Sequence, residues 1–151
     1  MHYRKYSNIL ISLLPIFIGG LIYTCFRNDN ILFFSWFRFF NINYSFLRQI
    51  NIDNNIVSSF IIYNLPHGLW VLSGLLLLKT FLKNENKILL FYSILFIVIS
   101  ISFELLQFFG IRPGTFDILD LITIIVFSCI GLFININRVK NILNISCHKI
   151  S

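Results

Sequence analysis

Charged residues are scarce in this sequence, and their scarcity excludes an ordinary soluble fold. Asp, Glu, Lys and Arg make up 12% of the 151 residues, whereas 57% are hydrophobic and Phe alone contributes 18. A small soluble domain leaves too much of its surface exposed to hide that much apolar area. The composition therefore predicts one membrane-embedded domain, with lipid as the solvent for most of the chain.

The sequence also lacks the motifs of several function classes. It has no HExxH motif, no nucleophile motif and no closely spaced pair of His residues. Cys25, Cys129 and Cys147 have neither metal-ligand spacing nor the pattern of a disulfide framework. The net charge of +6 comes without a nucleic-acid-binding motif and suits anionic lipid instead. We therefore expect a membrane-lipid partner, no cofactor, no metal and no nucleic acid.

Four apolar runs are long enough to cross a membrane. A helix needs about 20 apolar residues to cross a hydrocarbon core of about 30 Å. The runs occupy residues 9–26, 58–82, 88–109 and 116–134. They predict an all-α membrane protein, a four-transmembrane-helix bundle in a single domain over residues 1–151. No A-x-A-like cleavage site follows the first run, so we expect a retained span rather than a signal peptide.

Lysine is confined to one side of this predicted bundle, whereas arginine occurs on both sides. The Lys residues precede the first run, surround the junction of the second and third runs, or follow the fourth: Lys5, Lys79, Lys83, Lys87, Lys140 and Lys149. The positive-inside rule then places both termini in the cytoplasm, including the tail 135–151, in a multi-pass protein of the cytoplasmic (inner) membrane. The polar turn between the third and fourth runs faces the outer leaflet in this orientation.

The long connection between the first two runs is unusually aromatic. Residues 31–40 read ILFFSWFRFF, which is too short to cross the membrane and too apolar for water. This pattern favours an interfacial helix or a re-entrant segment. An aromatic belt that fixes depth and a lid over an outer-leaflet site are both compatible with it.

Two ionisable side chains lie at matched depths inside the second and third runs. At 1.5 Å per residue, His67 lies about 23 Å and Glu104 about 24 Å from the cytoplasmic boundary. Antiparallel spans with a short connection are usually neighbours, so a contact between His67 and Glu104 is geometrically plausible. Asn64 either caps a helix that begins near Leu65, or the helix continues from Ser58 with a kink at Pro66.

The turn into the fourth run carries four more polar candidates. Gln107 shares a helix face with Glu104, and Arg112 precedes Pro113 within the tight outer loop that Gly110 and Gly114 permit. Asp117 or Thr115 caps the fourth helix, whereas Asp120 lies one turn deeper, where capping does not explain it. An ionisable group inside a span costs at least about 2.5–3.5 kcal/mol unless it is paired. A buried carboxyl that only clamps helices together is the alternative to a functional site.

These residues carry a resemblance to a known family. A third span ending in E-x-x-Q, a short loop with Arg, D-x-x-D opening the fourth span, and a His early in the second span resemble the VanZ-like family of small bacterial membrane proteins. The resemblance covers about residues 60–134 and implies a cell-envelope protein whose molecular activity is unassigned. Two features depart from the family pattern. Ile124 occupies a position where the family often has Asn, and of the glycines that usually follow in the family only Gly131 is present.

The polar residues support more than one function. The first interpretation is a small outer-leaflet pocket for an envelope ligand, either a lipid head group or a peptidoglycan-related group of zwitterionic or amine-containing chemistry. The first alternative is an intramembrane hydrolase or transferase, in which Glu104, His67 and Asp120 supply acid–base chemistry or hold a divalent metal. The second is a small transporter or accessory subunit. The candidate ligand-binding residues are Glu104, Gln107, Arg112, Asp117, Asp120 and His67.

Overall fold

The computed structural model describes residues 2–26, 38–41, 43, 55–82, 86–111 and 115–134, with side chains from residue 6 onward. Within these ranges the backbone forms helices and turns and contains no strand, so the all-helical prediction is confirmed. The helices are α1 (His2–Phe26), α2 (Ile56–Tyr63), α3 (Leu65–Phe81), α4 (Asn86–Phe108) and α5 (Ile118–Phe133).

Three stretches are long and apolar enough to cross a membrane by length and composition. They are Tyr6–Phe26, the combined α2–α3 stretch Ile56–Phe81, and Asn86–Phe108. The fourth predicted run forms the shorter helix α5, which has 16 residues and therefore a length of about 24 Å. The sequence suggested a longer fourth span over 116–134, but specific contacts end the helix at both sides.

Those contacts involve Asp117 at one end of α5 and Lys79 at the other. Asp117 is the N-cap, and its side chain accepts the backbone N–H of Leu119. At the opposite end, the Lys79 ammonium group donates to the carbonyls of Leu132 (2.6 Å) and Ile134 (2.9 Å). A cation at these last carbonyls also complements the negative end of the helix dipole. Both ends of α5 are therefore fixed by polar contacts.

The second span is interrupted at Asn64, where α2 ends and α3 begins. Pro66 lies in the first turn of α3, where its missing N–H is tolerated. The expected helix start near Leu65 with Asn64 at the N-cap position is found, but the Asn64 side chain makes no capping hydrogen bond and α2 precedes the break. The N-cap at the start of this span is Asn55, which forms a capping box with Ser58. The Asn64 amide is thereby available for contacts with another helix.

Helix α3 is the centre of the bundle and packs against α1, α5, α4 and α2. On its α1 side, Ser73 donates to the carbonyl of Ser12 at 2.6 Å, and the Ser12 and Thr80 hydroxyls lie 3.1 Å apart. On its other side, small residues permit close approach. A Cβ at Gly74 would lie 2.4 Å from the Phe96 ring of α4. Small residues and hydroxyl hydrogen bonds are the usual means of helix association in lipid.

The outer surfaces of α1 and α4 are strongly apolar, as lipid contact requires. In α4 the buried side chains are Ser93 and Glu104, and large residues such as Phe91 (63% exposed) face outward. The helix ends in a Schellman motif, in which Gly110 has φ +68°, its N–H donates to Gln107 and the N–H of Ile111 donates to Leu106. Gly110 therefore starts a tight turn toward α5, as the sequence predicts.

Several predictions fall mainly outside the described residues. Of the aromatic segment 31–40, residues 38–40 are described, and with Asn41 they form a turn that exposes Phe39 and Phe40. The interfacial or re-entrant element therefore stays a prediction. The tail 135–151, which is predicted to be cytoplasmic, and Arg112 also lie outside the described residues.

Candidate functional site

His67, Glu104 and Asp120 meet between α3, α4 and α5. One nitrogen of the imidazole and one oxygen of each carboxylate all lie within 4.8 Å of one another. Glu104 is 4% exposed and Asp120 8% exposed, and His67 is half-buried. The structure thus brings together the two residues of matched depth and adds Asp120 from the fourth predicted run.

The close approach of α3 and α5 at Gly68 positions this cluster. A Cβ at Gly68 would lie 2.4 Å from the Phe127 ring and 2.6 Å from the Thr123 methyl group of α5. Because Gly68 directly follows His67, the missing side chain lets the imidazole reach the first turn of α5. The sequence shows the glycine but not which helix it faces.

An apolar core supports the cluster from the side of the bundle where α3 ends and α4 begins. Val71 and Leu75 of α3 and Ile124 of α5 are buried together, and Phe96 and Ile101 of α4 pack against them. Close packing of this kind holds side chains in defined rotamers. The polar groups therefore rest on a tightly packed apolar layer that joins the three helices.

The His67 ring has defined contacts at its Nδ1 atom. Nδ1 lies 3.1 Å from Oδ1 of Asp120 and 3.2 Å from the carbonyl oxygen of Tyr63. In the tautomer with hydrogen on Nδ1, both oxygens accept from that atom, and Nε2 keeps its lone pair. A carboxylate that fixes a His tautomer in this way is common in both general-base and metal sites.

Asn64 is part of the site and was missed in the sequence analysis. Its side chain is 3% exposed, and its amide nitrogen donates to Oδ1 of Asp120 at 2.9 Å and to Oδ2 of Asp117 at 3.0 Å. The available signal was its place inside an apolar span, where a buried amide needs partners. The frequent Asn residues elsewhere in the chain made this signal weak.

Asp117 has both of the roles that its position suggests. Oδ1 accepts the N–H of Leu119 at 2.9 Å, which caps α5, while Oδ2 accepts the Asn64 amide. The capping prediction is confirmed, and the same carboxylate belongs to the polar network. Asp117 is half-buried and lies at the rim of the site rather than inside it.

The remaining two candidates are not part of the described cluster. Gln107 is half-buried near the end of α4, about one turn beyond Glu104. Its backbone carbonyl accepts the N–H of Gly110, which places Gln107 in the turn toward α5. Arg112 lies outside the described residues, so its contact with the acids stays a prediction.

An open groove of about 760 Å³ lies beside the polar network, between α2 and the start of α5. Its walls include the apolar side chains of Ile56, Val57, Phe60 and Leu119. Asn64 and Asp117 line the same groove. An apolar surface therefore adjoins two members of the hydrogen-bonded network.

The assembled site has two buried carboxylates, a third at its rim, one imidazole and one amide. Such a set can bind a cationic group, accept and release protons, or ligate a metal ion. Comparisons with known proteins found no matching family model, no matching curated protein and no matching solved structure. Geometry and chemistry therefore carry the functional argument.

Proposed function

We propose that this chain is a multi-pass protein of the cytoplasmic membrane, of the VanZ-like type, that binds an envelope ligand in an outer-leaflet polar site. In this proposal α1, α2–α3, α4 and α5 are the four spans and both termini are cytoplasmic. The short helix α5 is included because a bilayer adapts to a short span by local thinning. The confinement of lysine to one side of the bundle supports the orientation.

The observation that carries the proposal is the convergence of His67, Glu104 and Asp120 from three helices. Each carboxylate is costly within a span, and two of them face one imidazole within 4.8 Å. Helix association in lipid needs only small residues and hydroxyl contacts, which α1 and α3 already supply. A second, far more expensive set of polar groups is better explained by a ligand than by helix packing.

The ligand class follows from the chemistry at the site and beside it. The carboxylates favour a positively charged group, and the imidazole can donate to an oxyanion. A zwitterionic or amine-containing head group supplies the former, and either a phospholipid or a peptidoglycan-related precursor carries such groups. The apolar groove beside Asn64 and Asp117 suits a ligand with a hydrocarbon portion. We therefore favour an amphiphile whose polar end enters the site.

Native mass spectrometry of the detergent-purified chain tests this function. Phosphatidylethanolamine, phosphatidylglycerol and a lysine-containing muropeptide serve as separate probes for the lipid and peptidoglycan sources. We expect an amine-containing probe to bind, and Glu104→Gln and Asp120→Asn to weaken that binding at least about tenfold, as loss of about 1.4 kcal/mol implies. Phe133→Leu is the packing control, since Phe133 is 88% exposed and belongs to an apolar part of α5.

The same variants separate a ligand site from a helix clamp. If the carboxylates only hold helices together, removing one charge strands its partners and lowers stability by about 1–3 kcal/mol. Early melting of both variants, together with equal binding of all three probes by the wild type, would show a structural clamp. Normal melting with lost binding supports the proposed site.

The His67–Asp120 contact also favours one second candidate, an intramembrane hydrolase or transferase. A carboxylate at Nδ1 orients an imidazole so that Nε2 acts as a base toward water or an alcohol. Incubation of the purified chain with phosphatidylethanolamine, followed by mass analysis of the lipid, tests this candidate. Released head group that requires His67 would establish turnover, whereas intact lipid would leave binding alone.

A further inference from the structure

We infer that His67, Glu104 and Asp120 together bind one divalent metal ion of the zinc type. The inference concerns the site of the proposed function and rests on it for the place of the ligand. In the metal-bound form the ion takes the place that the proposed function gives to a cationic group of the ligand, and the site then meets the head group through an oxyanion such as its phosphate.

The three side chains are a mixed nitrogen and oxygen ligand set. One His and two carboxylates from separate helices are ligand types that Zn²⁺ uses in open, three-ligand sites. The three residues are far apart in the sequence, so no metal-binding motif with a fixed spacing is present. Only the packing of α3, α4 and α5 assembles it.

The distances fit an ion after a small adjustment. Ligand atoms at about 2.0–2.2 Å from a tetrahedral Zn²⁺ are roughly 3.3–3.6 Å apart. Nδ1 of His67 and Oδ1 of Asp120 are separated by 3.1 Å, and all three ligand atoms lie within 4.8 Å. A side-chain movement of about 1 Å, within rotamer adjustment, brings the set to that geometry.

A supporting set of contacts surrounds the proposed ligands. The Asn64 amide donates to Asp120 at 2.9 Å, and Asp117 fixes the other side of that amide. Outer contacts of this kind orient metal ligands and raise affinity. If Asp120 only clamped helices together, it would not need the additional hydrogen bond from the Asn64 amide.

The charge distribution points in the same direction. Two buried carboxylates that approach within 4.8 Å repel one another, and the repulsion is strong in a low-dielectric interior. The lysines of α3 and α4, Lys79 and Lys87, belong to the opposite ends of these helices. A divalent ion between the carboxylates converts the repulsion into two attractions. Three protein ligands also leave a fourth position for an oxygen of the ligand.

The test uses the full chain in detergent, freed of metal by a chelator and then titrated with Zn²⁺ or Co²⁺. We expect one ion per chain by native mass spectrometry and the visible absorption of tetrahedral Co²⁺. Glu104→Gln, Asp120→Asn and His67→Asn should each weaken binding at least about 100-fold, and Asn64→Ala by about 10–100-fold. The control is the double variant His2→Asn, His148→Asn, which removes the other two His residues and should bind as the wild type does.

The outcomes distinguish the metal from the proposed function. Zn²⁺ should raise the melting temperature of the wild type, as binding to the folded state requires, and should not raise that of Glu104→Gln. The inference is overturned if the metal-free wild type takes up no ion, or if binding depends on His2 and His148 instead. If lipid binds to the chelated protein and no ion is taken up on titration, the proposed function is supported and the metal site is rejected. If the ion binds but no envelope probe binds, the metal site is supported and the proposed function is rejected.

Discussion

The side-chain amide of Asn64 lies 2.9 Å from Oδ1 of Asp120 and joins the break between α2 and α3 to the first turn of α5. The same amide donates to Asp117 at 3.0 Å, so one buried side chain connects both acids of the D-x-x-D sequence. The interruption of the second span therefore has a structural consequence, because it places a polar side chain where α5 begins.

Asn64→Ala should lower the stability of the protein. Removal of the amide leaves Asp120 without one hydrogen bond in a buried place, which typically costs about 1–3 kcal/mol. Asn64→Asp should cost more, since it adds a carboxylate beside two others. Thermal unfolding in detergent measures both effects. Asn86→Ala, at an exposed position in α4, should change stability by less than about 0.5 kcal/mol. Equal melting of Asn64→Ala and the wild type would contradict the assigned role.

Cys residues at His67 and Glu104 should cross-link, directly or through a short bifunctional reagent. The reason is that donor atoms of these two side chains lie within 4.8 Å of each other. The control pair joins Leu69→Cys to Glu104→Cys. Leu69 faces α1, where its Cβ would lie 3.6 Å from a Cβ at Gly19. The chain is cleaved at an engineered site between α3 and α4, and its mobility on a gel shows whether the two fragments are still linked. Reaction of the control pair alone would place α4 on the wrong side of α3.

Gly68→Ala should destabilise the bundle and disturb the His67 site. The added methyl carbon would lie 2.4 Å from the Phe127 ring and 2.6 Å from the Thr123 methyl group, so these side chains or α5 itself must shift. Overpacking of this kind costs about 1–3 kcal/mol. Gly20→Ala is the matched control, because a Cβ there meets nothing within 4 Å. Its stability should stay the same or rise by up to about 1 kcal/mol through helix propensity. A reversed order of melting temperatures would refute this packing.

Lys79→Met should loosen the end of α5 without affecting the polar cluster at the other end. It removes the ammonium group that donates to the carbonyls of Leu132 and Ile134, and a cation at a helix end contributes about 0.3–2 kcal/mol. Hydrogen exchange at the amide of Ile134 should therefore accelerate. Lys87→Met, at an exposed position, should leave that exchange rate unchanged. If Lys79→Met also leaves it unchanged, the cap does not stabilise α5.

Thiol labelling in intact cells should reveal the proposed orientation. In a background with Cys25, Cys129 and Cys147 replaced by Ser, an impermeant maleimide should react with Thr115→Cys and not with Lys87→Cys. Both positions are exposed: Lys87 lies at the start of α4, and Thr115 lies shortly before α5 begins. Permeabilised cells provide the control in which both Cys residues must react. The reverse pattern in intact cells would place both termini outside and the polar site at the inner leaflet.

The sequence by itself determined the helical class, the approximate helix positions and the matched depths of His67 and Glu104. These follow from local quantities, since apolar composition selects lipid and the rise per residue of a helix is fixed. Asp117 could be predicted as a cap for the same reason, because a cap acts on its own helix. The resemblance to the VanZ-like family stays a prediction, and so do the ligand-binding roles of all six candidates: His67, Glu104, Gln107, Arg112, Asp117 and Asp120.

Only the tertiary structure decided which polar groups meet. The partners of Asn64, the contact of Asp120 with His67 and the reach of Lys79 to α5 depend on how each helix is rotated and how closely it approaches its neighbours. Small residues such as Gly68 set that approach, but a glycine in the sequence does not say which helix it faces. In an apolar chain nearly every face of a helix is hydrophobic, so periodicity could not identify the buried side. Packing alone therefore turned three separate ionisable residues into one site.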